Sequence, residues 1–209
     1  MIISSAKPFE EILKLLKDED DIFIIGCNAC AAKLHVGGEP EVTMMQQRLE
    51  VNGKNVVGWV IPSAACSVAS FDSLVEKNPA IREAKAILVM ACGSGVSIIA
   101  GVTDIPVYPS NNTESLGGRS QGEVIPRLCA MCGDCTVYYF GGICPKGQCP
   151  KQLLNGPCGG SMEGKCEVDT DKDCVWDRIC SRLEKMGRQD LMEKVWLAEE
   201  IEGQILCRN

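Results

Sequence analysis

One histidine, His35, and ten aromatic side chains are all that 209 residues hold of the groups most used for acid–base chemistry and for core bulk. Histidine-based mechanisms therefore have a single candidate, and any core must be mainly aliphatic. Basic charge is also in deficit. The net charge is −7, with 10 basic against 15 acidic residues up to Ile125 and 11 against 13 beyond it, so neither half offers the basic face that nucleic acid requires. A secretory leader is missing from Met1-Ile2-Ile3-Ser4-Ser5, which runs directly into Phe9-Glu10-Glu11; this predicts a cytoplasmic protein. One segment, Ala86 to Thr103, is uncharged for 18 residues, but Gly93-Ser94-Gly95 interrupts it. It reads as a buried strand, a turn and a short apolar helix, and no membrane span is expected.

What the chain has in abundance is cysteine, 14 residues of it. In a reducing compartment disulfides are uncommon, and clustered thiols more often hold metal or do redox chemistry.

The first part of the chain alternates helix and strand patterns. Phe9, Ile12, Leu13 and Leu16 recur at helical spacing, followed by a short apolar run, Ile22 to Ile25. A helix around Thr43 to Leu49, with Met44, Met45 and Leu49 as core, precedes a second strand, Val56 to Ile61. A helix marked by Phe71, Leu74 and Val75 and closed by Pro79 precedes a third, Ile87 to Met90. Ile105 to Tyr108 gives a fourth strand, after which Asn111-Asn112-Thr113 reads as a turn, and Asp18 to Asp21 reads as a solvated helix end. Strands alternating with crossovers predict an α/β fold with a parallel, Rossmann- or flavodoxin-like sheet over residues 1–125. Residues 126–209 differ. Nine cysteines between Cys129 and Cys180 stand among glycines and prolines with little apolar periodicity, so this region should lack a conventional core and rely on metal. C-terminal helices are expected from Trp176, Ile179, Leu183 and Met186, then Leu191, Val195, Trp196 and Ile201.

Two cysteine constellations carry the chemistry. Cys27, Cys30, Cys66 and Cys92 each lie past the carboxyl end of a predicted strand, the edge where open parallel sheets bind ligands. Four thiolates there suit tetrahedral zinc or one iron–sulfur cluster equally. The second group is Cys129, Cys132, Cys135, Cys144, Cys149, Cys158, Cys166 and Cys174, eight thiols in 46 residues, enough for two four-thiolate sites. Its Cys-x2-Cys-x2-Cys opening and later Cys-Pro pairs match a bacterial ferredoxin site better than a zinc ribbon. The longer spacing to Cys144 leaves the pairing open. Cys180 falls on a helix face and reads as packing, and Cys207 as a free thiol or a partner contact. Gly93-Ser94-Gly95 lacks the third glycine and the following acidic residue of a dinucleotide fingerprint, and His35 reads as a solvated loop residue.

The string Leu154-Asn155-Gly156-Pro157-Cys158-Gly159-Gly160-Ser161, with Gly164-Lys165-Cys166-Glu167-Val168 and Cys174-Val175-Trp176, resembles the methylenetetrahydrofolate reductase C-terminal domain family. Together with Gly26-Cys27-Asn28-Ala29-Cys30 and Ala91-Cys92-Gly93-Ser94-Gly95, it is similar to the iron–sulfur small subunits (MetV) of acetogen-type methylenetetrahydrofolate reductases. The resemblance implies a non-catalytic electron-transfer subunit of an oxidoreductase. It would pass electrons to FMN on a catalytic partner (MetF), which reduces methylenetetrahydrofolate to methyltetrahydrofolate in the Wood–Ljungdahl pathway. It also implies an electron donor such as ferredoxin or another redox complex. Cys27 through Cys174, twelve cysteines, match the family pattern as ligands; Cys180 and Cys207 do not. Two 4Fe-4S clusters are then expected in the C-terminal region and a third, or zinc, in the N-terminal domain. The competing class is a zinc-binding structural or adaptor subunit that docks the catalytic partner.

Overall fold

A computed structural model describes residues 1–197 and divides the chain into two compact units, Met1–Ser115 and Leu116 onward. The division falls within a strand, ten residues before the boundary expected from composition.

In the first unit, four parallel strands form one sheet: β2 (Asp21–Ile25), β3 (Asn55–Val60), β4 (Ala86–Val89) and β5 (Val107–Pro109), in the order β3-β2-β4-β5. Ile22, Phe23, Ile24 and Ile25 are all fully buried, because helices cover both faces of β2. Alternation divides them. Ile22 and Ile24 pack with Phe9, Ile12 and Leu16 of the α1 segment (helix Phe9–Leu15) and Val42 and Leu49 of α3 (Glu39–Val51). Phe23 and Ile25 pack with Leu74 of α4 (Asp72–Val75), Ile81 and Ile99 of α5 (Gly93–Val102). A one-turn helix, α2 (Cys30–Lys33), follows β2. The four expected strands and the helix opened by Gly93 are therefore present.

Several readings need correction. Pro79 does not close a helix but opens the 3-10 turn Pro79–Glu83, α4 having already ended at Val75. Met44 is exposed, since the helical period of α3 turns Val42, Met45 and Leu49 inward instead. Asp21 is the first residue of β2 rather than part of a helix end. Three strands escaped prediction: β1 (Ile2–Ala6), β6 (Asn111–Ser120) and β7 (Glu123–Cys129), which form a second sheet of order β1-β6-β7. Asn111-Asn112-Thr113 is thus the start of a strand, not a turn.

In the second unit, β6 pairs antiparallel with β7 (Glu123–Cys129). The two-residue connection, Gln121 and Gly122, has φ of 51° and 89°, the backbone that a tight hairpin with right-handed twist demands. The cysteine-rich stretch does bury a small core, against expectation. Phe140 and Leu154 pack on Val175, Trp176, Ile179 and Leu183 of α7 (Val175–Met186), and Trp196 joins them. Trp176 and Phe140 meet edge to face at 5.7 Å, and the Trp176 indole N–H donates to the Leu153 carbonyl at 3.1 Å. Asn155 clamps Trp196 at both backbone groups, accepting its N–H at 2.7 Å and donating to its carbonyl at 2.9 Å. Met186 is exposed, and Leu191 lies on a 3-10 turn, Gln189–Glu193. Ile201 and Cys207 lie outside the described residues. Among the described residues no helix is long and apolar enough to cross a membrane.

Candidate metal centres

Register places the first cysteine set. Ile25 of β2 lies opposite Val60 of β3 on one side and Val89 of β4 on the other, so the three strands end together. Cys27 follows two residues after Ile25, Cys92 three after Val89, and Cys66 six after Val60 on the 3-10 turn Ala65–Ser67. The crevice between β2 and β4 is where the strand order reverses, the usual ligand position of this architecture. Two contacts draw the loops inward: the buried Cys27 Sγ accepts the Ala65 N–H at 3.5 Å, beside Cys66, and Cys30 Sγ accepts the Ile2 N–H at 3.4 Å. The first turn of α5 rests on the same 3-10 turn. A Cβ on Gly95 would stand only 3.0 Å from the Ala65 side chain and 2.8 Å from that of Ala91, so only glycine allows this approach.

In the second unit, Cys129 ends β7 and its Sγ accepts the Met131 N–H at 3.3 Å. Met131 and Gly133 both have positive φ, which coils Cys129, Cys132 and Cys135 into successive turns. The Cys132 thiol donates to the Asp134 carbonyl at 3.2 Å. The one-turn helix α6 (Pro145–Gln148) is capped by Cys144 at its start and Cys149 at its end. It lies directly on the Cys129 backbone: a Cβ on Gly147 would be 3.0 Å from Cys129 C and Ala130 N, and Gln148 donates to the Leu128 carbonyl at 3.3 Å. Cys149 faces elsewhere. With Cys158, Cys166 and Cys174 it lines one concavity, walled by Leu153 and Trp176. Short bridges fold these residues together: the Cys166 N–H donates to Lys172 O at 3.0 Å, and the Cys174 N–H to Gly164 O at 2.6 Å. The Gly160 N–H points at Cys158 Sγ, 3.5 Å away.

No cysteine among the described residues is in a disulfide. No three Cys, His, Asp or Glu side chains among those residues stand close enough together to hold a single metal ion. A four-iron cluster spaces its thiolates more widely than a single ion does. The donor chemistry fits such a group: soft thiols, four of them lining one concavity, with backbone N–H groups aimed at sulfur. Cys180 sits against the aromatic core, where burial pushes its thiol above the ordinary range. His35 is exposed on a loop, its Nδ1 3.8 Å from Glu41 Oε1. Sequence reading missed Ser110 to Thr113, whose polar side chains tie into the loops around Cys27 and Cys92; a polar run at the start of a strand carries no periodic signal.

Residues 108–202 match the family model described as methylene-tetrahydrofolate reductase C terminal. That segment takes in the whole second cysteine group. No curated protein matches the chain. A crystal structure described as a branched-chain amino acid ABC transporter from Rhodospirillum rubrum is similar over 49% of this chain and 28% of its own, at 16% identity and a TM-score of 0.33.

Proposed function

We propose that this chain is the electron-transferring iron–sulfur subunit of a methylenetetrahydrofolate reductase, with folate reduction carried out on a flavin-containing catalytic partner. The observation that carries the reading is the concavity lined by Cys149, Cys158, Cys166 and Cys174, inside the segment similar to the methylene-tetrahydrofolate reductase C terminal. These four form one ligand set. Cys129, Cys132 and Cys135 then take Cys144 as their fourth ligand, because α6 is seated on Cys129. Cys27, Cys30, Cys66 and Cys92 form the third set, for a cluster.

Iron–sulfur clusters supply one-electron carriers when bound. The chain's own residues do the rest. Cysteine thiolates would hold the clusters, and the N–H groups of Met131 and Gly160 would stabilise charge on sulfur. Leu153, Val175 and Trp176 give the Cys149 set an apolar wall. Cys144 and Cys149 cap the same helix, five residues or roughly 7.5 Å of rise apart, so α6 would join the two ligand sets. Electron transfer asks for little beyond such spacing and burial, which fits a chain rich in cysteine and poor in histidine.

Functional separation tests the reading. The partner subunit isolated without this chain should still exchange electrons between its chemically reduced flavin and folate, yet lose reduction by the physiological donor. Reduction of methylenetetrahydrofolate by the isolated small subunit would contradict it. A colourless chain containing zinc alone would favour the adaptor role.

A further inference from the structure

The segment Ser110-Asn111-Asn112-Thr113 follows β5 and opens β6, and it holds two of the three buried polar side chains among the described residues. Each of its four side chains is engaged. Ser110, 1% exposed, donates its hydroxyl to the Val89 carbonyl at 3.3 Å, and its N–H reaches the same oxygen at 3.1 Å. Asn111, 6% exposed, donates its amide to the Val36 carbonyl at 3.1 Å. Asn112 accepts from the Lys7 ammonium at 2.8 Å. Thr113 Oγ1 accepts the Gly93 N–H, also at 2.8 Å.

The partners of these bonds are not scattered. Gly93 directly follows Cys92, and Val89 ends the strand three residues before it. Val36 closes the loop that opens at Cys27: the Cys27 N–H donates to Gly37 O at 2.8 Å and the Val36 N–H to Ala31 O at 3.0 Å. One four-residue segment therefore holds both cysteine loops that flank the β2/β4 crevice. Thr113 also takes up an N–H at the opening of α5 that would otherwise be free for water or for sulfur.

We propose that Ser110–Thr113 is the positioning element of the first cysteine set, with Asn111 fixing the Cys27/Cys30 loop and Thr113 fixing Cys92 against it. The inference rests on the reading that these four thiols hold metal. Groups bonded to the frame of a metal site in this way govern its affinity, commonly by roughly 10–100-fold. Thr113 is itself exposed, so its replacement leaves the core of the unit intact.

The test uses the full chain purified anaerobically, as wild type, Thr113→Val, Thr113→Ser and Asn111→Ala. Two quantities are read: release of metal to a chelator, and the alkylation rate of each cysteine by mass spectrometry. Thr113→Val, which keeps the shape but loses the acceptor, should release metal from the first set roughly 10–100-fold faster and expose Cys92 and Cys30 to alkylation. Cys129 to Cys174 should keep wild-type protection, Thr113→Ser should behave as wild type, and Asn111→Ala should expose Cys27 and Cys30. A Thr113→Val chain as protected as wild type overturns the inference. So does a uniform rise at all twelve cysteines, or a Thr113→Ser chain as impaired as Thr113→Val. If instead Cys27, Cys30, Cys66 and Cys92 of the wild type react as free thiols, the metal reading of this set fails and the inference falls with it.

Discussion

Replacing Gly147 with alanine strikes the contact that assigns Cys144 to the Cys129 set. The new methyl would lie 3.0 Å from Cys129 C, 3.0 Å from Ala130 N and 3.2 Å from Cys129 Cα, all backbone atoms that cannot rotate aside. Comfortable carbon contacts begin near 3.5 Å, so helix and strand end must part by roughly 0.5 Å. Overpacking of this kind costs about 1–3 kcal/mol. The gain from a better helix former is at most about 1 kcal/mol and smaller still in a one-turn helix. A net loss of about 1–2 kcal/mol follows, which for a unit of this size lowers the melting temperature by roughly 4–8 °C per kcal/mol. Because Cys144 moves with α6, the anaerobically purified variant should also lose about four irons, the content of one cluster, while the cluster on Cys149, Cys158, Cys166 and Cys174 survives. Gly101→Ala is the control: a Cβ there meets nothing within 4 Å, and the change should be neutral or stabilising by about 0.5–1 kcal/mol. A Gly147→Ala chain with wild-type melting temperature and iron content would refute the seating of α6 on Cys129.

Further outcomes follow from the small core of the second unit. Leu183→Ala, at a fully buried position of α7, should cost about 2–5 kcal/mol by urea unfolding. Asn155→Ala removes both partners of the Trp196 backbone, and should shift tryptophan emission to the red with a loss of about 1–3 kcal/mol. Cys180→Ala should keep wild-type iron, whereas Cys158→Ala or Cys166→Ala should lose a cluster and destabilise the unit. Because burial raises the Cys180 thiol, the folded state favours its protonated form. That stabilisation is complete below the ordinary thiol range and is lost as pH rises through the raised value, so the stability gap between wild type and Cys180→Ala should narrow or reverse in strong alkali.

The parallel sheet was legible because β2 and β4 are buried on both faces, leaving unbroken runs such as Ile22 to Ile25 bounded by glycine and cysteine. The places of Cys27, Cys66 and Cys92 were legible for the same reason: strand ends can be read, and a cysteine follows each of three. β6 was not, since Asn111–Ser120 is largely exposed and polar, with two glycines and no alternation. Its hairpin turn, Gln121-Gly122, lacks the asparagine or aspartate that usually marks a turn with two positive φ angles. The division proposed for the second cysteine group was hidden because it rests on tertiary contacts: Gly147 against Cys129, and the short bridges at Cys166 and Cys174. The small core was hidden too, its aromatic members Phe140, Trp176 and Trp196 lying far apart in sequence.

Iron, sulfide and zinc analysis of the chain purified anaerobically with its catalytic partner tests the central claim most directly. The account predicts a brown protein that bleaches on reduction and carries at least about eight irons per chain with matching sulfide, four for each of two clusters in the second unit. Fewer than about six irons, or zinc in their place, would contradict it.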